Sequence, residues 1–234
     1  MTKYTFYDPF EIKRLSKLNP ERIVFTVFAR IQELISKIHF ESFTIPFEPT
    51  PSQAAVQDFN FDENDTAVTP EQMSALVAAI NVTNELDAPI AEIGAFRGVT
   101  TEIMASTTAR RVYAVDPYAG YGGADSDLGA FENRTRDLPN VFHVRSTSGE
   151  ASRHPELITV SFAFVDAVHD YVNARFDGTT WLRKLAPGGM IAFHDTDSRV
   201  FPGVMRAVWE ILNDRANPLT LFIHVPGLVI LQRH

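Results

Sequence analysis

Asp166, His169, His194 and Asp195 hold the side chains with the most varied chemistry in this 234-residue sequence, and they come in two short clusters. Asp166 closes the apolar run 160–166, and Asp195 follows the apolar run 189–194. On neighbouring strands of one sheet the two carboxylates converge at its carboxyl edge. Like charges placed that way repel unless a proton or a cation sits between them. A hard divalent ion such as Mg²⁺ is the simplest occupant, because it prefers oxygen ligands and leaves positions open for water or a hydroxyl. An ion of that kind lowers the pKa of the hydroxyl it holds. His169, three residues after Asp166, has a side chain that takes up a proton near neutral pH. His194 puts a softer, neutral imidazole directly before the second aspartate. That either weakens Mg²⁺, shifts the preference toward Mn²⁺, Fe²⁺ or Zn²⁺, or leaves two protein ligands. Thr196 and Asp197 are further ligand candidates that spacing does not rank.

The elements that must position these residues alternate along the chain. Strand-like runs fall at 89–94, 111–116, 140–145, 160–166 and 189–194, with helical stretches at 99–108, 127–137, 149–157 and 172–185. The order predicts an α/β fold: a Rossmann-like, seven-stranded, mostly parallel sheet with helices on both faces. A further helix over 200–213 precedes two strand-like runs, 219–224 and 228–231, joined by Val225-Pro226-Gly227. Pro-Gly is turn chemistry, so the chain ends in a hairpin and the last strand is reversed. Residues 91–98, Ala91-Glu92-Ile93-Gly94-Ala95-Phe96-Arg97-Gly98, read as a strand running through a glycine turn into a helix. Such a turn brings backbone N–H groups and a helix N-terminus close to a ligand. Asp116 ends the next strand, twenty-two residues after Gly94, where a nucleotide-binding fold grips a ribose hydroxyl.

Two regions divide the chain. Residues 1–69 form an N-terminal helical extension with a lid or linker, and 70–234 form the sheet domain. Within the extension, apolar residues recur at helical spacing from Glu21 to about Phe40. Residues 46–70 hold four prolines and the acidic patch Asp58–Asp65, which reads as a loop that closes over a site. Thr69-Pro70-Glu71-Gln72 is a capping-box helix start, and that helix is expected to reach Glu85.

Composition narrows the function. A net charge of −8 argues against a nucleic-acid partner, whose phosphates need clustered Lys and Arg. The absence of cysteine excludes disulfides and thiolate metal sites. With no signal peptide and no apolar run long enough to span a bilayer, the expectation is a cytoplasmic protein without a membrane partner.

The ordered motifs resemble the class I S-adenosylmethionine-dependent methyltransferases over roughly residues 70–234. Phe164-Val165-Asp166-Ala167-Val168-His169-Asp170-Tyr171, followed by Pro187-Gly188-Gly189-Met190-Ile191-Ala192-Phe193-His194-Asp195-Thr196, is similar to the metal-dependent small-molecule O-methyltransferases. The similarity is greatest to the branch with macrolide-sugar methyltransferases and cephalosporin-hydroxylase-like proteins. The resemblance implies transfer of a methyl group from S-adenosylmethionine to a hydroxyl of a sugar or phenolic natural product, with a divalent metal, Mg²⁺ or Mn²⁺, at Asp166, His194 and Asp195. It makes His169 the catalytic base, and His194 departs from the carboxylate the sugar-methylating relatives have there. It places Glu92 and Gly94 at the cofactor's amino-acid portion, Asp116 at the ribose and Tyr118 over the adenine. Ser146 and Ser148 fall at the adenine edge, where an acid is frequent and none precedes Glu150. Plainer readings stand beside these: Glu92 as a local hydrogen-bonding group, Tyr118 as a core lid, His169 as a loop residue orienting Asp170 or Tyr171. The segments ahead of the first strand are implied to form a lid over the acceptor or a homo-oligomer interface. Two alternatives differ in class. An NAD-dependent oxidoreductase is disfavoured because the turn lacks the G-x-G-x-x-G spacing. A non-catalytic cofactor- or metal-binding protein, marked by His194, is the other.

Overall fold

The computed structural model describes residues 7–50, 61–120 and 123–234. Its centre is a sheet of seven strands: β1 (Ile90–Ile93), β2 (Val112–Val115), β3 (Val141–Val144), β4 (Val160–Val165), β5 (Leu185–His194), β6 (Leu219–Val225) and β7 (Leu228–Arg233). The order is β3-β2-β1-β4-β5-β7-β6. Strands β1 to β5 run parallel, and β7 lies antiparallel between β5 and β6. The expected reversed last strand is therefore present, inserted inside the sheet. β1, β2 and β4 are buried along their whole length, as near-continuous apolar strands with helices on both faces must be.

Alternation along each strand sorts side chains between two layers. Ala91, Ile93, Ala163 and Val165 face one core with α7 (Tyr171–Leu182) and α8 (Pro202–Leu212). Ile90, Phe162 and Phe164 face the other, under α3 (Pro70–Val82) and α4 (Val99–Thr107). Glu92, two residues from Ile90, shares that second face. The remaining helices are α1 (Pro9–Arg14), α2 (Pro20–Ile38), α5 (Asp125–Thr135) and the short α6 (Ser148–Ala151).

Besides shifts at the ends of other elements, such as β5 starting at Leu185 and α7 stopping at Leu182, three differences from the sequence expectation have a local cause. The helix expected over 149–157 is only α6 followed by a 3₁₀ turn, Pro155–Leu157. Pro155 has no N–H to continue the helix and pushes His154 into an extended conformation (φ −64°, ψ 133°). α3 stops at Val82 rather than Glu85, where the Thr83 hydroxyl donates back to the carbonyl of Ala79. The leader holds an additional helix, α1, capped by Asp8 with Pro9 in its first turn.

The extension is not a separate body. Ile12, Phe25 and Ile45 enter the same core as α7 and α8. Arg206 of α8 ties α2 down through the carbonyl and side chain of Gln32 (3.1 and 2.9 Å). The apolar face of α2 is only partly used: Ile23, Val24, Val27, Ile31, Leu34 and Ile38 are 46–63% exposed. Among the described residues no helix is long and apolar enough to cross a membrane. Part of the expected lid, residues 51–60, lies outside the described residues.

Candidate active site

The turn after β1 is a strained piece of backbone held from three sides. Gly94 has φ +97°, and a Cβ there would lie 1.8 Å from the carbonyl oxygen of Asp166, so only glycine fits. Two residues on, Phe96 takes φ 46°, an unfavourable conformation for a bulky side chain. Its N–H donates to Asp116 Oδ2 (3.1 Å) and its carbonyl accepts from the Tyr118 hydroxyl (2.6 Å). Asp116 Oδ1 accepts from the Tyr118 N–H (2.8 Å). A carboxylate has about four acceptor positions, so Asp116 keeps capacity for a ligand hydroxyl. Gly98, at φ +78°, then caps α4, whose free N–H groups face the same space.

One cavity runs from this turn across the carboxyl ends of β1, β2, β3 and β4. Gly94, Asp116, Ser146 and Ser148 line one part of it, and Asp166 and His169 line another. Two of the expected cofactor residues are not on its walls. Glu92 is fully buried on the α4 side of β1, where its carboxylate accepts from the Thr101 hydroxyl. Burial, with Asp166 and Asp116 nearby, raises its pKa well above the ordinary carboxylate value, and its contact with Thr101 makes it a local hydrogen-bonding group. The two-residue period of the strand explains the miss: Ile93 faces the cavity side, and its neighbour must face away. Tyr118 is likewise 4% exposed and packs against Phe131 and His143, so it is the core lid behind the turn rather than a cover for the adenine.

At the far end of the cavity the two carboxylates do converge. Asp195, directly after β5, has φ 55°, which aspartate tolerates better than most residues, and the bend brings its Oδ2 to 2.8 Å from His169 Nε2. His169 Nε2 is also 3.4 Å from Asp166 Oδ1. Asp166, His169 and Asp195 present oxygen or nitrogen atoms all within 4.8 Å of one another, a group of metal-binding size. His194 sits behind it, 4% exposed, with Nδ1 3.4 Å from both Asp166 Oδ1 and Asp195 Oδ2. Of the expected ligands Asp166, His194 and Asp195, the group holds the two aspartates, with His169 in the place expected for His194.

The protonation of His194 can be worked out from its other side. Gln72 Oε1 accepts from the Thr69 N–H (2.8 Å), and Gln72 Nε2 donates to the Pro226 carbonyl (2.7 Å), which fixes the orientation of the amide. His194 Nε2 lies 3.0 Å from Gln72 Oε1 and must therefore be the donor. A neutral His194 would then aim the lone pair of Nδ1, which has no hydrogen bond, at two carboxylates. The arrangement needs a positive charge at that point, either a proton on Nδ1 or a cation shared with Asp166 and Asp195. A donor set of two carboxylates and one imidazole suits a divalent cation of borderline character. Without one, burial works against protonation of both histidines, but the two carboxylates outweigh it and hold His169 up to about 9 and His194 up to about 10. The same pairing overcomes burial to depress Asp166 and Asp195 below the usual carboxylate range.

A glycine turn, an acid at the end of β2, and Asp166 with His169 after β4 share one cavity on a sheet of this order, and residues 91–196 match the family model described as a methyltransferase domain. Residues 91–196 form a methyltransferase domain. S-Adenosylmethionine is the methyl donor of such a domain. A search of curated protein sequences found no match. Several solved structures share the fold of this methyltransferase. The O-methyltransferase NovP is 15% identical, covers 89% of this chain and 98% of its own, and has a TM-score of 0.59. An O-methyltransferase from Bacillus cereus, in complex with SAH, is 16% identical over 88% of this chain and 100% of its own, with a TM-score of 0.58. An rRNA methylase from Streptococcus thermophilus is 17% identical over 72% of this chain and 98% of its own, with a TM-score of 0.55. At these identities the likeness is one of fold, and it spans unlike acceptors.

Three features of the methyltransferase carry no signal in the local sequence. Gln72 was legible as a capping residue, and its contact with His194 depends on the hairpin between β6 and β7 delivering Pro226. Asp65 and Arg97 form the second case: Asp65 lines the cavity and pairs with Arg97 (2.9 Å) and Arg134 (2.8 Å), clamping the segment ahead of α3 onto the turn. Asp177, in the middle of α7, is the third; it lines the cavity while only 5% exposed. Nothing in its local sequence distinguishes it from a surface helical acid.

Proposed function

We propose that this methyltransferase transfers a methyl group from S-adenosylmethionine to a hydroxyl of a small molecule, a sugar or a phenolic natural product, with a divalent cation bound at Asp166 and Asp195. The observation that supports it is the continuity of the cavity, which places the turn and Asp116 in the same space as Asp166 and His169. The turn amides and the N-terminus of α4 would hold the carboxylate of the donor, and Asp116 would accept from its ribose hydroxyls. Asp166 and His169, which share the cavity, would then stand on the side where an acceptor oxygen must be brought in line with the donor's methyl group, a matter of positioning. When bound, the cation would lower the pKa of a hydroxyl beside it.

In this reading His169 takes the acceptor proton. It can do so only as the neutral imidazole, and Asp166 and Asp195 hold it protonated up to about 9. Their charge must therefore be countered for His169 to act near neutral pH. The net charge of −8 favours a small acceptor over a nucleic acid. Residues 40–70 would set which acceptor enters, since Asp65, Thr66 and Ala67 already stand at the cavity wall. The exposed apolar stripe of α2 is where the expected homo-oligomer contact would form.

The test is transfer of the labelled methyl of S-adenosylmethionine to a panel of sugar and catechol acceptors, with and without EDTA. Transfer that EDTA abolishes and a divalent ion restores is the expected result. Transfer unaffected by EDTA would remove the cation from the account. Cofactor binding without transfer to any acceptor would favour the non-catalytic alternative.

A further inference from the structure

On an open α/β sheet the ligand lies outside the carboxyl ends of the strands, so a nucleoside held at Asp116 extends its base over β3. The segment there, Ser146-Thr147-Ser148, brings no acid to the base. Glu150, the first acid that follows, is spent elsewhere: it caps α6 through the N–H and hydroxyl of Thr147 (both 3.0 Å) and pairs with Arg14 (2.6 Å). It is not on the cavity wall, whereas Asp177 is, beside Ser146, Thr147 and Ser148.

We propose that Asp177, reaching across from α7, reads the 6-amino edge of the cofactor's adenine in place of an acid after β3. This rests on S-adenosylmethionine being the ligand of the cavity. The carboxyl is almost fully buried and forms no ion pair among the described residues; the charges that reach it are those of Asp8 and Asp170, both acidic. A buried carboxyl among acids is satisfied by neutral hydrogen-bond donors. Ser148 supplies one. Trp181 Nε1 donates to Ser148 Oγ (2.9 Å), which leaves the hydroxyl proton of Ser148 for Asp177. Asp177 stands on the cavity wall, and the ligand group that suits a carboxyl there is an N–H on a planar, uncharged edge. Adenine offers N6–H there with N1 beside it. A carboxylate accepts from N6–H, and a protonated carboxyl both accepts from N6–H and donates to N1. Burial raises Asp177 to about 7, so both forms are populated near neutral pH and both pair with adenine. Hypoxanthine, with an oxygen at position 6 and its N–H at N1, sets an acceptor against the carboxylate and pairs in full only with the protonated carboxyl, so the two bases are told apart above pH 8, where Asp177 is ionised.

Calorimetry at pH 8.5 with S-adenosylhomocysteine and its 6-oxo counterpart, S-inosylhomocysteine, tests the assignment on the full chain. The unmodified protein should prefer the adenosyl ligand by about tenfold or more, the worth of one hydrogen bond to a charged group. Asp177→Ala should lose about that factor for the adenosyl ligand and little for the inosyl one. Asp177→Asn, whose amide pairs with either base by rotating, should keep the fold and bring the two affinities within about threefold. If the unmodified protein binds S-adenosylhomocysteine and neither substitution moves the preference, the assignment of Asp177 is overturned alone. If the unmodified protein does not bind it at all, the assignment falls together with the cofactor reading.

Discussion

Replacing Gly94 with alanine probes the turn on which the cofactor end of the site depends. The new Cβ would lie 1.8 Å from the Asp166 carbonyl oxygen, and that oxygen belongs to backbone that no rotamer change can move. Two costs add. A left-handed conformation costs a non-glycine residue about 1–2 kcal/mol, and forced repacking of a tight contact costs about 1–3 kcal/mol. The sum, about 2–5 kcal/mol, is a large part of the 5–15 kcal/mol typical of a folded domain. With a urea dependence of about 2 kcal/mol per molar, the unfolding midpoint should fall by about 1–2.5 M. Relief of the clash must also push β1 away from the end of β4, separating the turn from Asp166. Affinity for S-adenosylhomocysteine should therefore drop more than tenfold even at temperatures where Gly94→Ala is folded. Urea unfolding followed by circular dichroism, together with calorimetry on the folded variant, measures both. A midpoint within error of the unmodified protein and an affinity within twofold would refute the reasoning, because they would mean that a side chain fits where the geometry leaves no room.

Further outcomes follow from the charged groups. In EDTA, His169 and His194 are held up to about 9 and 10, above their ordinary value, so their contribution to stability is complete below about pH 6.5 and is lost as the pH rises through 9 to 10; the melting temperature should fall across that window. Asp195→Asn should flatten the fall, and an equally steep profile in that variant would contradict the pairing. Asp177 is raised to about 7, so its protonated form stabilises the fold fully below about pH 4 and that contribution fades as the pH rises through 7. Asp177→Asn should accordingly raise the melting temperature at pH 8 and leave it nearly unchanged at pH 4, and differential scanning fluorimetry at the two pH values decides. Gln72→Ala leaves the Thr69 N–H, the Pro226 carbonyl and His194 Nε2 without their partner and should cost about 1–3 kcal/mol in chemical denaturation. The ¹⁵N shifts of His194 should change with it; an unaltered imidazole spectrum would show that Gln72 does not set its donor.

The sheet was legible because its strands are short apolar runs separated by amphipathic helices, a pattern that burial on both faces imposes. The reversed strand was legible from Pro226-Gly227, although its insertion between β5 and β6 is a tertiary choice that no local signal carries. Gly94, Asp116, Asp166 and Asp195 could be read because each sits at a strand end, where an open sheet puts its ligands. Glu92 and Tyr118 were misplaced for the opposite reason: the resemblance supplied their roles, while the two-residue period of β1 and the left-handed bend at Tyr118 (φ 48°) turn both side chains away from the cavity. Asp177 and the second contact of Gln72 depend on packing between elements distant in sequence, α7 on α6 and α3 on the β6–β7 turn.

The central claim is that one cavity holds S-adenosylmethionine with its methyl facing Asp166, His169 and Asp195. Titration calorimetry of the purified protein with S-adenosylhomocysteine tests it most directly. A single site that Asp116→Ala weakens by at least tenfold is the predicted result. No heat of binding at ligand concentrations up to the millimolar range, with the protein folded by circular dichroism, would contradict it.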